Sequence, residues 1–78
     1  MNLLQILKAV HQAANDCEIL NKDNQWATME VNWLDTAQPK VLVHYGTIHS
    51  NGQREVAIAT RHYYVRDDKV DYYIQGHP

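Results

Sequence analysis

The chain has 78 residues, nine acidic against seven basic, a net charge of −2 and one cysteine. Cys17 alone excludes an internal disulfide, the charge lacks the footprint of a phosphate-backbone binder, and no apolar run reaches membrane-spanning length. The expectation is one cytoplasmic domain over residues 1–78 without a signal peptide, in a size range where the core supplies only about 3–5 kcal/mol and a partner subunit commonly adds the rest.

Leu3, Leu7, Val10, Ala14 and Cys17 recur at the spacing of one helical face, and Ile6 and Ala13 widen it. Asn2 is a good N-cap, and Gln5 completes a capping box. The run Asn21-Lys22-Asp23-Asn24 is a stop, so the spacing predicts a helix over residues 3–18. Beyond it the period changes to two. Met29, Val31 and Trp33 alternate with Thr28, Glu30 and Asn32, a half-buried strand with Trp33 as its core anchor. Trp26 precedes that strand, either capping the helix–sheet seam or standing partly exposed.

Asp35 to Pro39 reads as a turn and Lys40 to Ile48 as a second strand. Asn51-Gly52 is a strong hairpin signal, because both residues tolerate positive φ. A two-residue loop there sets Ser50 opposite Gln53, Thr47 opposite Val56, Tyr45 opposite Ile58 and Val43 opposite Thr60. That set, with Val41, is the more apolar and should face the helix. The other face then carries Leu42, His44, Ile48, Glu55, Ala57, Ala59, Arg61, Tyr63 and Val65.

The last strand prefers Val70, Tyr72 and Ile74 inward, with Asp71 and Tyr73 outward. A five-residue loop over Val65 to Lys69 reconciles the two phases by pairing Tyr64 with Val70 and His62 with Tyr72. A tight Asp67-Asp68 turn would set Tyr64 against Asp71 and bury a carboxylate on the helix side. The exception is a β-bulge near Thr60, which would turn Tyr63 and Val65 inward and release His62 and Tyr64. The whole reads as α+β: one N-terminal helix on a four-stranded antiparallel meander, in two layers.

No chemistry-bearing motif emerges. His44 and His49 point to opposite faces, while His11, His62 and His77 are scattered, so no three metal ligands converge. Ser50 is the only serine and sits at a hairpin turn, without a base or an orienting group. The reading is therefore no enzyme, no cofactor and no metal.

The second sheet face is too apolar for a surface meant only for water. Leu42, His44, Ile48, Arg61, Tyr63 and Tyr73 are the candidate contact residues for a protein partner, with homodimerisation through this face or through a sheet edge. The expected function is a small protein-binding module of the inhibitor, immunity or accessory type, as carried by phages and mobile elements. One alternative is a small-ligand binder or enzyme with a cleft between helix and sheet, lined by His62, Tyr64, Tyr72 and Trp33. The other is a single-stranded nucleic-acid binder stacking bases on sheet tyrosines. Asp67, Asp68 and Asp71 beside those rings argue against it.

Overall fold

A computed structural model describes residues 1–32, 38–54 and 58–76. The elements run α1 (Leu3–Leu20), β1 (Gln25–Asn32), β2 (Lys40–Thr47), β3 (Ala59–Arg66) and β4 (Lys69–Gly76). The four strands form one antiparallel sheet in the order β1-β2-β3-β4, with the helix on one face. This is the expected α+β meander. Trp33, Glu55, Val56, Ala57, His77 and most of the Asp35–Pro39 turn lie outside the described residues.

The helix starts as its sequence dictates. The Asn2 side chain accepts from the Gln5 backbone N–H at 2.9 Å, and the Gln5 side chain accepts from the Asn2 N–H at 2.9 Å. Its buried stripe is rotated from the expected one. Ile6, Ala9 and Ala13 are buried, with Val10, Cys17 and Leu20 packed beside them, while Leu3, Leu4 and Leu7 are 59, 62 and 55% exposed. Small side chains at Ala9 and Ala13 let the helix backbone approach Val41 and Val43, the largest fully buried side chains among the described residues.

The turn after β2 is not the expected two-residue loop. His49 pairs with Gln53 around Ser50-Asn51-Gly52, and only Gly52 takes positive φ, at +84°. This is the three-residue alternative for such a hairpin, in which glycine takes the left-handed position. Ile48 pairs with Arg54, but Tyr45 then pairs with Ala59, so two chain positions intervene on one side and four on the other. The Ile58 N–H also reaches the Tyr45 carbonyl at 2.9 Å. Ile58 and Ala59 are thus both set against Tyr45, the contact pattern of a β-bulge, and the strand carries two positions more than β2 over this stretch.

The longer turn resets the phase of β3: one extra loop residue exchanges the two faces, and the two further positions between Arg54 and Ala59 keep that exchange. Val41 now faces Tyr63, Val43 faces Arg61, and His44 rather than Val43 faces Thr60. The next turn is tight, with Arg66 paired to Lys69 around Asp67 and Asp68 at φ 52° and 65°. Tyr64 therefore does lie opposite Asp71, and His62 opposite Tyr73. The wider Val65–Lys69 loop is corrected for a physical reason. Once the longer turn after β2 puts Tyr64 on the outer face, the tight turn leaves the Asp71 carboxylate in water instead of burying it.

Candidate sheet-face binding site

The face turned away from the helix carries four cross-strand rows. Trp26 lies opposite Gly46. Next come Thr28, His44, Thr60 and Gln75, then Glu30, Leu42, His62 and Tyr73, and lastly Asn32 and Lys40 beside Tyr64 and Asp71. The chain reaches this arrangement because every strand alternates and the three-residue turn after β2 sets the phase of β3.

The third row is the densest. The His62 and Tyr73 rings stack with centroids 4.7 Å apart and planes 2° from parallel, and Tyr64 tilts against Tyr73 at 6.3 Å. Leu42 is only 8% exposed despite facing away from the helix, whereas Tyr73 is 57% exposed. The row thus has an apolar floor and an accessible aromatic edge, rimmed by Lys40, Asp71 and Glu30. The second row is polar. His44 Nδ1 shares a hydrogen bond with Thr60 Oγ1 at 2.9 Å, and its Nε2 lies 3.7 Å from Glu30 Oε2.

Hydroxyl, imidazole and carboxylate in sequence is the order that activates a nucleophile. Here the three span adjacent strands on an open sheet. The strand N–H groups beside Thr60 are engaged in the β-ladder, so an oxyanion would find no free pair of donors there. The contacts link β1, β2 and β3 across the sheet.

Trp26 fills the end of the face. A Cβ built on Gly46 would lie 2.8–2.9 Å from the indole, so only glycine lets the ring lie flat on the strand. Trp26 is half-buried, and its Nε1–H has no hydrogen-bond partner among the described residues.

Of the six expected contact residues, Leu42, His44 and Tyr73 share this face. Ile48 sits half-buried past the end of β2, bridged to Arg54 and away from the aromatic row. Arg61 and Tyr63 are corrected to the helix side, the consequence of the β3 phase shift. There the Tyr63 hydroxyl, on a side chain only 4% exposed, donates to Asp16 Oδ2 at 2.6 Å. Arg61 donates to the same oxygen at 3.4 Å, and Gln12 donates to Asp16 Oδ1 at 2.9 Å. The Arg61 guanidinium lies 4.4 Å over the Tyr72 ring. Burial first, then the bond to the Asp16 carboxylate, pushes the Tyr63 phenol well above the usual tyrosine range.

The expected helix–sheet cleft dissolves as well, because His62 and Tyr64 leave that side while Tyr72 stays on it. In the sequence reading His62 and Tyr64 turn outward only in the bulged exception, and the Asp16 tether goes unseen. The available signal was Asp71, whose charge forbids an inward Tyr64 once the turn is tight. Among the described residues no group of three or more His, Cys, Asp or Glu side chains is placed to hold a metal ion, and no helix is long and apolar enough to cross a membrane. Comparison of the chain with protein-family models, with curated proteins and with solved structures gave no match in any of the three.

Proposed function

We propose that the protein is a small non-enzymatic protein-binding module of the inhibitor, immunity or accessory type, which receives another protein on the outer face of its sheet. The observation that carries this reading is the aromatic row of His62, Tyr73 and Tyr64 over Leu42, on the face that the helix leaves uncovered. Aromatic groups with a polar tip dominate binding hot spots. A stack already held parallel loses little rotamer freedom when a partner arrives. The mixed charges of Lys40, Glu30 and Asp71 around it suit a protein rim better than a phosphate backbone.

The test is photo-crosslinking from position 73 in a lysate of the source cells, with His62→Ala as the competing variant. The expected result is one dominant protein adduct that weakens about tenfold or more with His62→Ala, the loss of roughly 1.4 kcal/mol of binding. An adduct pattern unchanged by His62→Ala, or the same pattern from a crosslinker placed at Gln12 on the helix, would remove the reading.

The Thr60–His44–Glu30 row supports one competing reading, hydrolysis. Activated-ester turnover that disappears with Thr60→Ala would favour it. The expected result is no Thr60-dependent rate.

A further inference from the structure

The sheet has two edges, and the chain treats them differently. In a two-residue hairpin the residues flanking the turn bond to each other, so Arg66 and Lys69 fix the phase of the β-ladder. Lys69, Asp71, Tyr73 and Gln75 direct their backbone groups to β3, and Val70, Tyr72 and Ile74 direct theirs outward. Carried across β3 and β2, the same alternation leaves Ala27, Met29 and Val31 pointing their N–H and C=O groups off the β1 edge.

The β4 edge is guarded. Its Tyr72 N–H donates to Asp71 Oδ1 at 2.8 Å, so a carboxylate sits over the middle of the edge. A charged side chain on an edge is a known device against strand-to-strand association. Among the described residues the β1 edge has no such guard from Ala27 to Val31, while at its start Lys22 takes both backbone groups of Gln25. The strand itself contains no proline or lysine, and its one charged residue, Glu30, faces the outer side beside His44.

The side chains above the β1 edge are apolar and half-exposed, with Met29 at 40% and Val31 at 37%. On the helix, Lys8 reaches Asp68 and Asp16 reaches Tyr63, so that flank points to β3 and β4. A turn of 100° per residue puts Leu3 and Leu7 on the opposite flank, toward β1. These are the leucines that the sequence placed in the core and that the structure leaves more than half exposed.

We propose that this edge and flank are where a second copy of the chain docks, β1 against β1 about a two-fold axis. Met29 pairs with its own symmetry mate, and Ala27 pairs with the partner's Val31. That register joins outward backbone groups only to outward backbone groups. It also sets Glu30 opposite the partner's Thr28, so no two carboxylates meet head-on. With strands about 4.8 Å apart, helices lying over β1 and β2 come within about 10–14 Å of each other, close enough for leucine side chains to bridge.

The exposed area agrees with the proposal. A compact chain of this mass exposes about 4,900 Å², and this one exposes 5683 Å². The excess, roughly 800 Å², is one partner's share of a standard protein interface. The eight-stranded sheet so formed would present two outer faces on the same side, but the proposal does not depend on anything binding there.

Sedimentation of the wild type and of Leu7→Lys/Met29→Lys tests the mass, and amide hydrogen exchange on the wild type across a concentration series tests the edge. The expected results are a dimer at high micromolar concentration and a folded monomer for the double variant. Exchange at Ala27, Met29 and Val31 should slow about tenfold or more with concentration, and Tyr73→Ala should leave the dimer intact. A monomeric wild type at high micromolar concentration would overturn the proposal. So would concentration-dependent protection at Val70, Tyr72 and Ile74 in place of the β1 amides, or a dimer lost with Tyr73→Ala but kept by the double variant.

Discussion

Asp16→Ala removes the acceptor that ties the helix to β3. Asp16 Oδ2 takes the Tyr63 hydroxyl at 2.6 Å and Arg61 at 3.4 Å, and the Asp16 and Arg61 side chains keep 12 and 18% of their exposure. A hydrogen bond to a charged group contributes about 1.5–3 kcal/mol. Breaking a fully buried ion pair costs about 3–5 kcal/mol, but residual solvent and the long Arg61 contact place this one toward the lower figure. Alanine returns about 0.5 kcal/mol of helix propensity. The expected net loss is about 2 kcal/mol, roughly half the stability of a core this small, and it lowers Tm by about 8–16 °C. Urea unfolding followed by circular dichroism at one fixed protein concentration measures it. Tyr63→Phe should cost about 1–2 kcal/mol in the wild type and much less in Asp16→Ala, since the two act through one bond. An Asp16→Ala variant within about 0.5 kcal/mol of wild type, or additive losses in the double variant, would refute the tether.

Three further outcomes follow from the same geometry. Gly46→Ala brings a methyl group within 2.8–2.9 Å of the Trp26 indole; it should cost about 1–3 kcal/mol and shift the tryptophan emission, whereas an unchanged Tm would mean the ring does not rest on the strand. Asp68→Gly relieves a φ of 65° in the tight turn and gives up only an exposed pair with Lys8, 3.1 Å long. It should stabilise by about 0.5–1 kcal/mol, and a lower unfolding midpoint would count against the turn. Because Tyr63 is raised above its unfolded value, its contribution to stability is complete below about pH 10 and is lost as pH climbs beyond it. Wild-type stability should therefore fall more steeply than that of Tyr63→Phe above that pH, and parallel curves would contradict the assignment.

Local pattern carried most of the fold and little of the site, and β3 shows why. The capping box, the change of period after Asn24 and the turn residues at Asn51-Gly52 are each decided within a few residues, and each marks a real boundary. Which face a strand residue occupies depends instead on every residue counted since the last turn. One loop longer by a residue exchanged His62 and Tyr64 for Arg61 and Tyr63, and the two extra positions before Ala59 left that phase unchanged. The loop length has no strong local signature, because a glycine at positive φ serves a two-residue and a three-residue hairpin alike. Its trace is non-local: the Asp67-Asp68 turn, Tyr64 and Asp71 can coexist only if β3 is shifted. The helix shows the converse limit. Leu3 and Leu7 satisfy the pattern of a buried face, yet Ala9 and Ala13 allow the closer approach to the sheet and win the core.

The central claim is that the outer face, with Tyr73 at its most exposed point, is where the partner binds. Crosslinking from position 73 in the source-cell lysate tests it most directly. The expected result is an adduct with a different protein, diminished by His62→Ala and absent when the crosslinker stands at Gln12. An adduct only at twice the chain's own mass, or one indifferent to His62, would contradict it.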